Sequence, residues 1–132
     1  MTGSRGTALR RYEKDGFEIL VGKGAKDNDR LTFRVAAPRD LWLHASGYAG
    51  SHVVVRNPDR LAALPREVVE AAAQLAAHHS KARGARGKVD VHVCHAEDVR
   101  KPRGYPPGMV QLRRWESVKV YPRDPFADVG EP

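Results

Sequence analysis

An α+β domain is what this sequence predicts: an antiparallel or mixed β-sheet with one long helix and one short helix packed on it. Three observations carry the prediction. Short β-prone runs outnumber helical ones, tight turns join most of them, and one Ala-rich stretch near residues 65–81 carries an apolar stripe of helical period. A chain of 132 residues has the length of a single domain. Its 41% hydrophobic residues suffice for a small core, so wholesale disorder is not expected.

The elements follow in order. Residues 1–11 show no periodicity and are expected to form a flexible basic tail. Phe17-Glu18-Ile19-Leu20-Val21, bracketed by Gly16 and Gly22, is apolar and β-prone and predicts a strand. Lys23 to Asp29, polar with two glycines counting Gly22, predicts a loop. From Leu31 to Ala37 the pattern suits either a strand or a short helix capped by Asn28. The helix is preferred, and Pro38 ends either one. Asp40 to Ala45 alternates polar and apolar, Ser46 to Gly50 turns, and Ser51 to Arg56 is again β-prone, so the pair predicts an antiparallel hairpin. Pro65 suits a helix start. Glu67 and Glu70 favour its positive end, and Lys81 and Arg83 favour the other. Val89, Val91 and Val93 alternate with polar residues, as in a half-buried strand. Arg100 to Gly108 predicts a basic loop, and Met109–Arg113 with Ser117–Tyr121 a final hairpin around Trp115-Glu116. Residues 12–122 thus form one expected domain, and 123–132 a loose C-terminal tail.

Charge points to the partner. Lys and Arg number 23 and Asp and Glu 16, a net +7. Between Lys81 and Arg123, eleven bases face four acids, so this stretch alone holds an excess equal to that of the whole chain. Sixteen of the bases are Arg, whose guanidinium binds phosphate bidentately and stacks on bases. A polyanion such as a nucleic acid is the expected partner. The Met1–Gly6 segment lacks a signal peptide's apolar stretch, and no run approaches the roughly 20 apolar residues of a membrane span. One cysteine, Cys94, excludes an internal disulfide framework. A cytoplasmic protein without membrane contact is expected.

Catalytic constellations are weak. Six histidines invite a metal, yet no His-Glu-x-x-His or Cys-x-x-Cys spacing is present. His44 and His52 could meet across the hairpin with Asp40 as a third ligand, and His92 and Cys94 would share one strand face. Ser51-His52 and Cys94-His95 cannot pair as nucleophile and base, because neighbours in a strand point to opposite faces. No metal, cofactor or catalytic site is therefore expected. Binding fits better. Asp40, Trp42 and His44 fall on one strand face with Ser51 nearby, and Trp42 and His44 offer stacking beside basic side chains, as single-stranded RNA recognition uses. Two basic, Gly-containing loops would hold phosphates: Gly22-Lys23-Gly24-Ala25-Lys26 and Arg100-Lys101-Pro102-Arg103-Gly104. The first lacks the Gly-Lys-Ser/Thr ending of a nucleotide-hydrolysing loop.

Several stretches, in order, resemble one family, the NFACT RNA-binding domain found as the C-terminal module of the large NFACT proteins. Gly16-Phe17 through Val21-Gly22 is similar to its opening strand, and Asn28-Asp29-x-Leu31-Thr32 to its next segment. Asp40-x-Trp42-x-His44, Gly47 and Gly50-Ser51-His52-Val53-Val54 form the most specific match. The helix with Ala72, Ala73, Ala76, Ala77 and Ser80, then Val99-Arg100-Lys101-Pro102-x-Gly104, Pro107-Gly108 and Val120-Tyr121-Pro122, complete a resemblance over residues 12–122. The sequence departs at Lys23-Gly24, where relatives often have Arg-Asn, and at Leu43, where Phe is common.

The resemblance implies RNA binding, placed on Lys23, Asn28, Asp29, Asp40, Trp42, His44, Ser51, His52, Lys101 and Gly108, with Lys26, Arg100 and Arg103 as further phosphate contacts from the basic loops. The large relatives act in ribosome-associated quality control, engaging the large ribosomal subunit and tRNA during C-terminal tail addition. The resemblance to one module alone implies a stand-alone form without that activity. The expected function is a non-enzymatic RNA-binding module for tRNA or ribosomal RNA. The rivals are a nucleic-acid-processing enzyme using the His44/His52 face and a protein-interaction adaptor.

Overall fold

The computed structural model describes residues 9–127. Its frame is a six-stranded antiparallel sheet in the order β1-β2-β4-β3-β5-β8, with a separate two-stranded β6-β7 ribbon. The strands are β1 Leu9–Lys14, β2 Phe17–Gly22, β3 Leu41–Ala45, β4 Val53–Val55, β5 Val89–His95, β6 Val99–Arg100, β7 Gln111–Leu112 and β8 Glu116–Val120. The helices are α1 Ala25–Arg30 and α2 Arg66–His78. The α+β class, with one long and one short helix, is the class the sequence predicts.

Period-two alternation sorts the side chains. Ile19, Val21, Leu43, Val53, Val55 and Val91 face α2 and pack on its Val68, Ala72, Leu75 and Ala76. Alanine along that stripe lets the helix lie close to the sheet. Leu75 is fully buried, so Leu75→Ala is a cavity-forming change of about 2–5 kcal/mol. Leu20, Trp42, Val54 and Cys94 point to the opposite face and form a second, smaller core with Leu31 and Val99. There α1 and the β6-β7 ribbon cover one end of the sheet.

Four expectations change. Residues 9–11 are strand rather than tail. Leu9, Arg10 and Arg11 pair with Gly22, Val21 and Leu20, because Asp15 (φ 52°) and Gly16 (φ 87°) make the tight turn that folds β1 back on β2. The rest of the expected tail, residues 1–8, lies outside the described residues. The expected loop at 23–29 is largely α1, which runs on into a single π-helical turn, Leu31–Val35, closed by Ala36 N–H donating to the Leu31 carbonyl. Burying Leu31 and Thr32 drives this, since it covers the second core. The predicted final hairpin does not form. β7 pairs with β6 and β8 pairs with β5, each burying its apolar residues against a different part of the domain. Of the expected loose C-terminal tail, Phe126 stacks on Tyr12 at 4.8 Å, and residues 128–132 lie outside the described residues. The hairpin at 40–56 forms as expected, with Leu41, Trp42 and Leu43 opposite Val55, Val54 and Val53.

Candidate nucleic-acid interface

The β3-β4 turn is held from both sides. Ser51 N–H donates to the His79 carbonyl at 2.9 Å, and Lys81 N–H donates to Ala49. Gly50 bridges Ser80 so closely that a Cβ there would lie 2.8 Å from the Ser80 Cα. From the other side, Asn28 on α1 accepts from His52 N–H at 3.0 Å and donates to the Gly50 carbonyl at 3.2 Å. Ser51 Oγ donates to the Gly22 carbonyl. Asn28 and Ser51 therefore spend their polar groups on fixing the hairpin.

Behind the turn lies a buried polar chain. Trp42 Nε1–H donates to Thr32 Oγ1 at 3.0 Å, and Thr32 Oγ1 lies 2.8 Å from His52 Nδ1. His52 Nε2 faces the Gly108 carbonyl at 3.2 Å. A carbonyl only accepts, which assigns the proton to Nε2 and leaves Nδ1 to accept from the Thr32 hydroxyl. Burial, with His44 nearby, lowers the His52 pKa to about 3 despite the Gly108 and Asp29 contacts, so the ring is neutral at pH 7. His44 is lowered to about 4 by burial and by His92 across the strand pair.

The loop from Pro102 to Met109 is fastened by one cation. Lys101 Nζ reaches both Asp29 oxygens (3.3 and 3.1 Å) and the Pro106 and Met109 carbonyls, while Asp29 also accepts from Gly108 N–H at 3.0 Å. An ammonium has three protons, and these partners consume them.

Several expected site residues accordingly change role. Trp42 is 1% exposed, so it is a core residue and not a stacking platform. Asp40 is also 1% exposed and sits at the other end of β3, where its carboxylate accepts from Ala37 and Asn57 N–H and pairs with Arg56 at 2.7 Å. It does not reach His44, and no group of three or more His, Cys, Asp or Glu suited to a metal exists among the described residues. Asn28, Asp29, Lys101 and His52 are fasteners rather than free contacts. Cys94 is buried, and its thiol is pushed up to about 12 by burial and Asp98, so it stays protonated.

What remains accessible is an open groove of about 1120 Å³ over the β3-β4 turn. Of the expected site residues, Lys23, Asn28, Trp42, His44, Ser51 and His52 line it, joined by Arg10, Lys81 and Arg83. Arg10, Lys23, Lys81 and Arg83 are exposed and form no ion pair among the described residues. His79 also lines the groove. Its Nε2 is buried without a partner among the described residues, and burial and His78 lower it to about 4. Lys26, Arg100 and Arg103 are exposed but line none of it, so the two basic loops do not converge there. Of the eleven bases at 81–123, Arg113 and Arg114 share the buried Asp98, and Lys119 pairs with Asp90. Arg10 lay in the supposed tail, and the Asp15-Gly16 turn signal would have found its strand. Thr32 stood in the Asn28-Asp29-x-Leu31-Thr32 segment of the family resemblance, but nothing local marked its hydroxyl as the partner of Trp42 and His52.

The antiparallel α+β sheet thus carries a cation-rimmed groove beside a buried Trp-Thr-His chain. Residues 9–114 match the NFACT protein RNA binding domain, and the chain belongs to that family. The chain is 40% identical over 117 residues to the Rqc2 homolog RqcH of Bacillus subtilis, which covers 86% of this chain and 19% of the relative. It is 42% identical over 106 residues to the Rqc2 homolog RqcH of Streptococcus suis, covering 80% of this chain and 18% of the relative. It thus spans about a fifth of the length of these curated relatives. The solved C-terminal part of the fibronectin/fibrinogen-binding protein from Streptococcus suis superposes with a TM-score of 0.81 at 39% identity, covering 89% of this chain and 46% of that one.

Proposed function

We propose that this chain binds RNA through the groove over the β3-β4 turn, without chemistry of its own. The observation that carries the proposal is the convergence of Arg10, Lys23, Lys81 and Arg83, from three separate segments, on one open surface. No acid neutralises them among the described residues, so phosphates are the complementary ligand. Membership of an RNA-binding domain family and similarity to RqcH relatives support an RNA-binding role in ribosome-associated quality control; the target this reading assigns is tRNA or ribosomal RNA of the large subunit, in the cytoplasm.

A filter-binding titration with tRNA and ribosomal RNA fragments across a salt series tests this. Log affinity should fall linearly with log salt, because each neutralised phosphate releases counterion. Absence of binding at low salt, or a flat salt response, overturns it. A protein-adaptor role is the second reading, supported by the fibronectin/fibrinogen-binding name of the solved relative. A pull-down with and without RNase separates the two, since an adaptor keeps its partner after RNase.

A further inference from the structure

A row of rings crosses the sheet face opposite α2 and leaves the groove on its far side. Trp42 is buried at one end and stacks on His44, with ring centroids 5.9 Å apart and planes 28° from parallel. His44 on β3 stands directly opposite His92 on β5. His92 in turn lies 5.3 Å from Trp115, in the segment leading into β8. Exposure rises along the row. Trp42 is 1% exposed, His44 and His92 are half-buried, and Trp115 is 50% exposed. An indole left half open costs solvation that a core position would recover. Two guanidinium groups flank it. Arg113 and Arg114 precede it, both against the carboxylate of Asp98 at 3.5 and 3.8 Å, and Glu116 follows it, so the arginines lie beside the ring without a net excess of charge.

Resting on the RNA-binding reading above, we infer that Trp115 and His92 form a stacking site for unpaired nucleobases, which makes single-stranded RNA the preferred ligand over a duplex. The geometry matches that chemistry. A duplex hides its base faces, whereas an unpaired base can lie on an aromatic plane while its phosphates meet nearby guanidinium groups. Both side chains are held from behind: His92 by its place in β5 beside His44, and Trp115 by His92. The row therefore extends the groove from a charged rim to an aromatic shelf.

The test uses the full chain with two RNA probes of equal phosphate number, a single-stranded oligoadenylate and a blunt duplex. Trp115→Ala should weaken oligoadenylate binding roughly 5- to 150-fold, the range of one lost base stack. It should leave duplex affinity and the salt slope unchanged. Trp115→Phe, which keeps a ring, should recover most of the loss, and a thermal melt of each variant checks that the fold is kept. Equal loss on both probes, no loss on either, or no recovery with Phe in a folded variant overturns the stacking site while RNA binding stands. Failure of the unaltered chain to bind either probe at low salt overturns the RNA-binding reading itself.

Discussion

Thr32 and His52 share a buried contact of 2.8 Å, from the Thr32 hydroxyl to His52 Nδ1, and the same hydroxyl oxygen receives the Trp42 indole N–H at 3.0 Å. One small side chain in a π-helical turn thus satisfies two large buried groups. Thr32→Val keeps the volume and deletes the oxygen. It should destabilise the fold by about 1–3 kcal/mol for each buried group left unpaired. Thr32→Ser, which keeps the hydroxyl, should cost far less. Urea denaturation of both variants checks this, and equal stability of Thr32→Val and the parent would show that the chain from Trp42 to His52 is not formed.

Gly50 is fixed by close approach. A Cβ at this position would meet the Ser80 Cβ at 2.5 Å and the Ser80 Cα at 2.8 Å, and backbone cannot yield as the end of a long side chain can. Gly50→Ala should therefore cost about 1–3 kcal/mol and loosen the docking of α2 against the β3-β4 turn. Hydrogen exchange at the Ser51 and Lys81 amides, which bond across that junction, should rise together with the loss in melting temperature. Unchanged protection at both amides would contradict it.

Lys101 separates a structural cation from a binding one. Its ammonium is engaged by Asp29 and two carbonyls that hold the 102–109 loop. Lys101→Met should lower stability by about 1–2 kcal/mol, discounted for partial exposure, and leave the salt slope of RNA binding unchanged. A drop in slope without loss of stability would assign Lys101 to phosphate contact instead.

The division between what the residues announced and what they concealed follows from the physics of each site. Patterned runs such as Val89-Asp90-Val91 and the span from Asp40 to Ala45 declare a sheet, and the Ala-rich stripe of α2 declares its cover, because these patterns are local. Which strands pair is not local, so β7 and β8 looked like a hairpin although they join different partners. The polar residues of the site misled for a related reason. Asp40, Asn28, Asp29 and Lys101 have the composition of a binding surface, and only long-range contacts reveal that each fastens one segment to another. Net charge located the basic half of the chain but could not distinguish Lys81, which is free on the groove rim, from Lys119, which is paired with Asp90.

Acid should destabilise this fold through its buried histidines. His52 is lowered from 6.5 to about 3, and His44 and His79 from 6.5 to about 4. Above pH 6.5 these rings are neutral in both the folded and the unfolded chain, so they add no pH dependence. Below pH 6.5 the unfolded chain takes up protons that the folded one refuses. Stability then falls by up to about 1.4 kcal/mol per pH unit for a fully buried ring, until the folded value is reached. His79 is partly open and contributes less. Denaturation midpoints between pH 7 and pH 4 should decline, and His52→Gln, which can still meet Gly108 and Thr32, should flatten the decline. An equally steep decline in that variant would remove His52 as its source.

The groove assignment makes a prediction that net charge alone does not. Lys23, Lys81 and Arg83 line the groove, whereas Arg100 and Arg103 are equally exposed but lie outside its walls. If phosphates occupy the groove, Lys23→Ala, Lys81→Ala and Arg83→Ala should each lower the slope of log affinity against log salt by about 0.7–0.9, one phosphate contact apiece. Arg100→Ala and Arg103→Ala should leave that slope nearly unaltered, losing only the weak long-range attraction that any cation of the domain supplies. All five side chains are exposed, so none of the substitutions should move stability by more than about 0.5 kcal/mol, and the slopes compare directly. A uniform reduction across the five would mean that the domain binds through its overall field, and a reduction confined to Arg100 and Arg103 would move the interface to the β6-β7 ribbon.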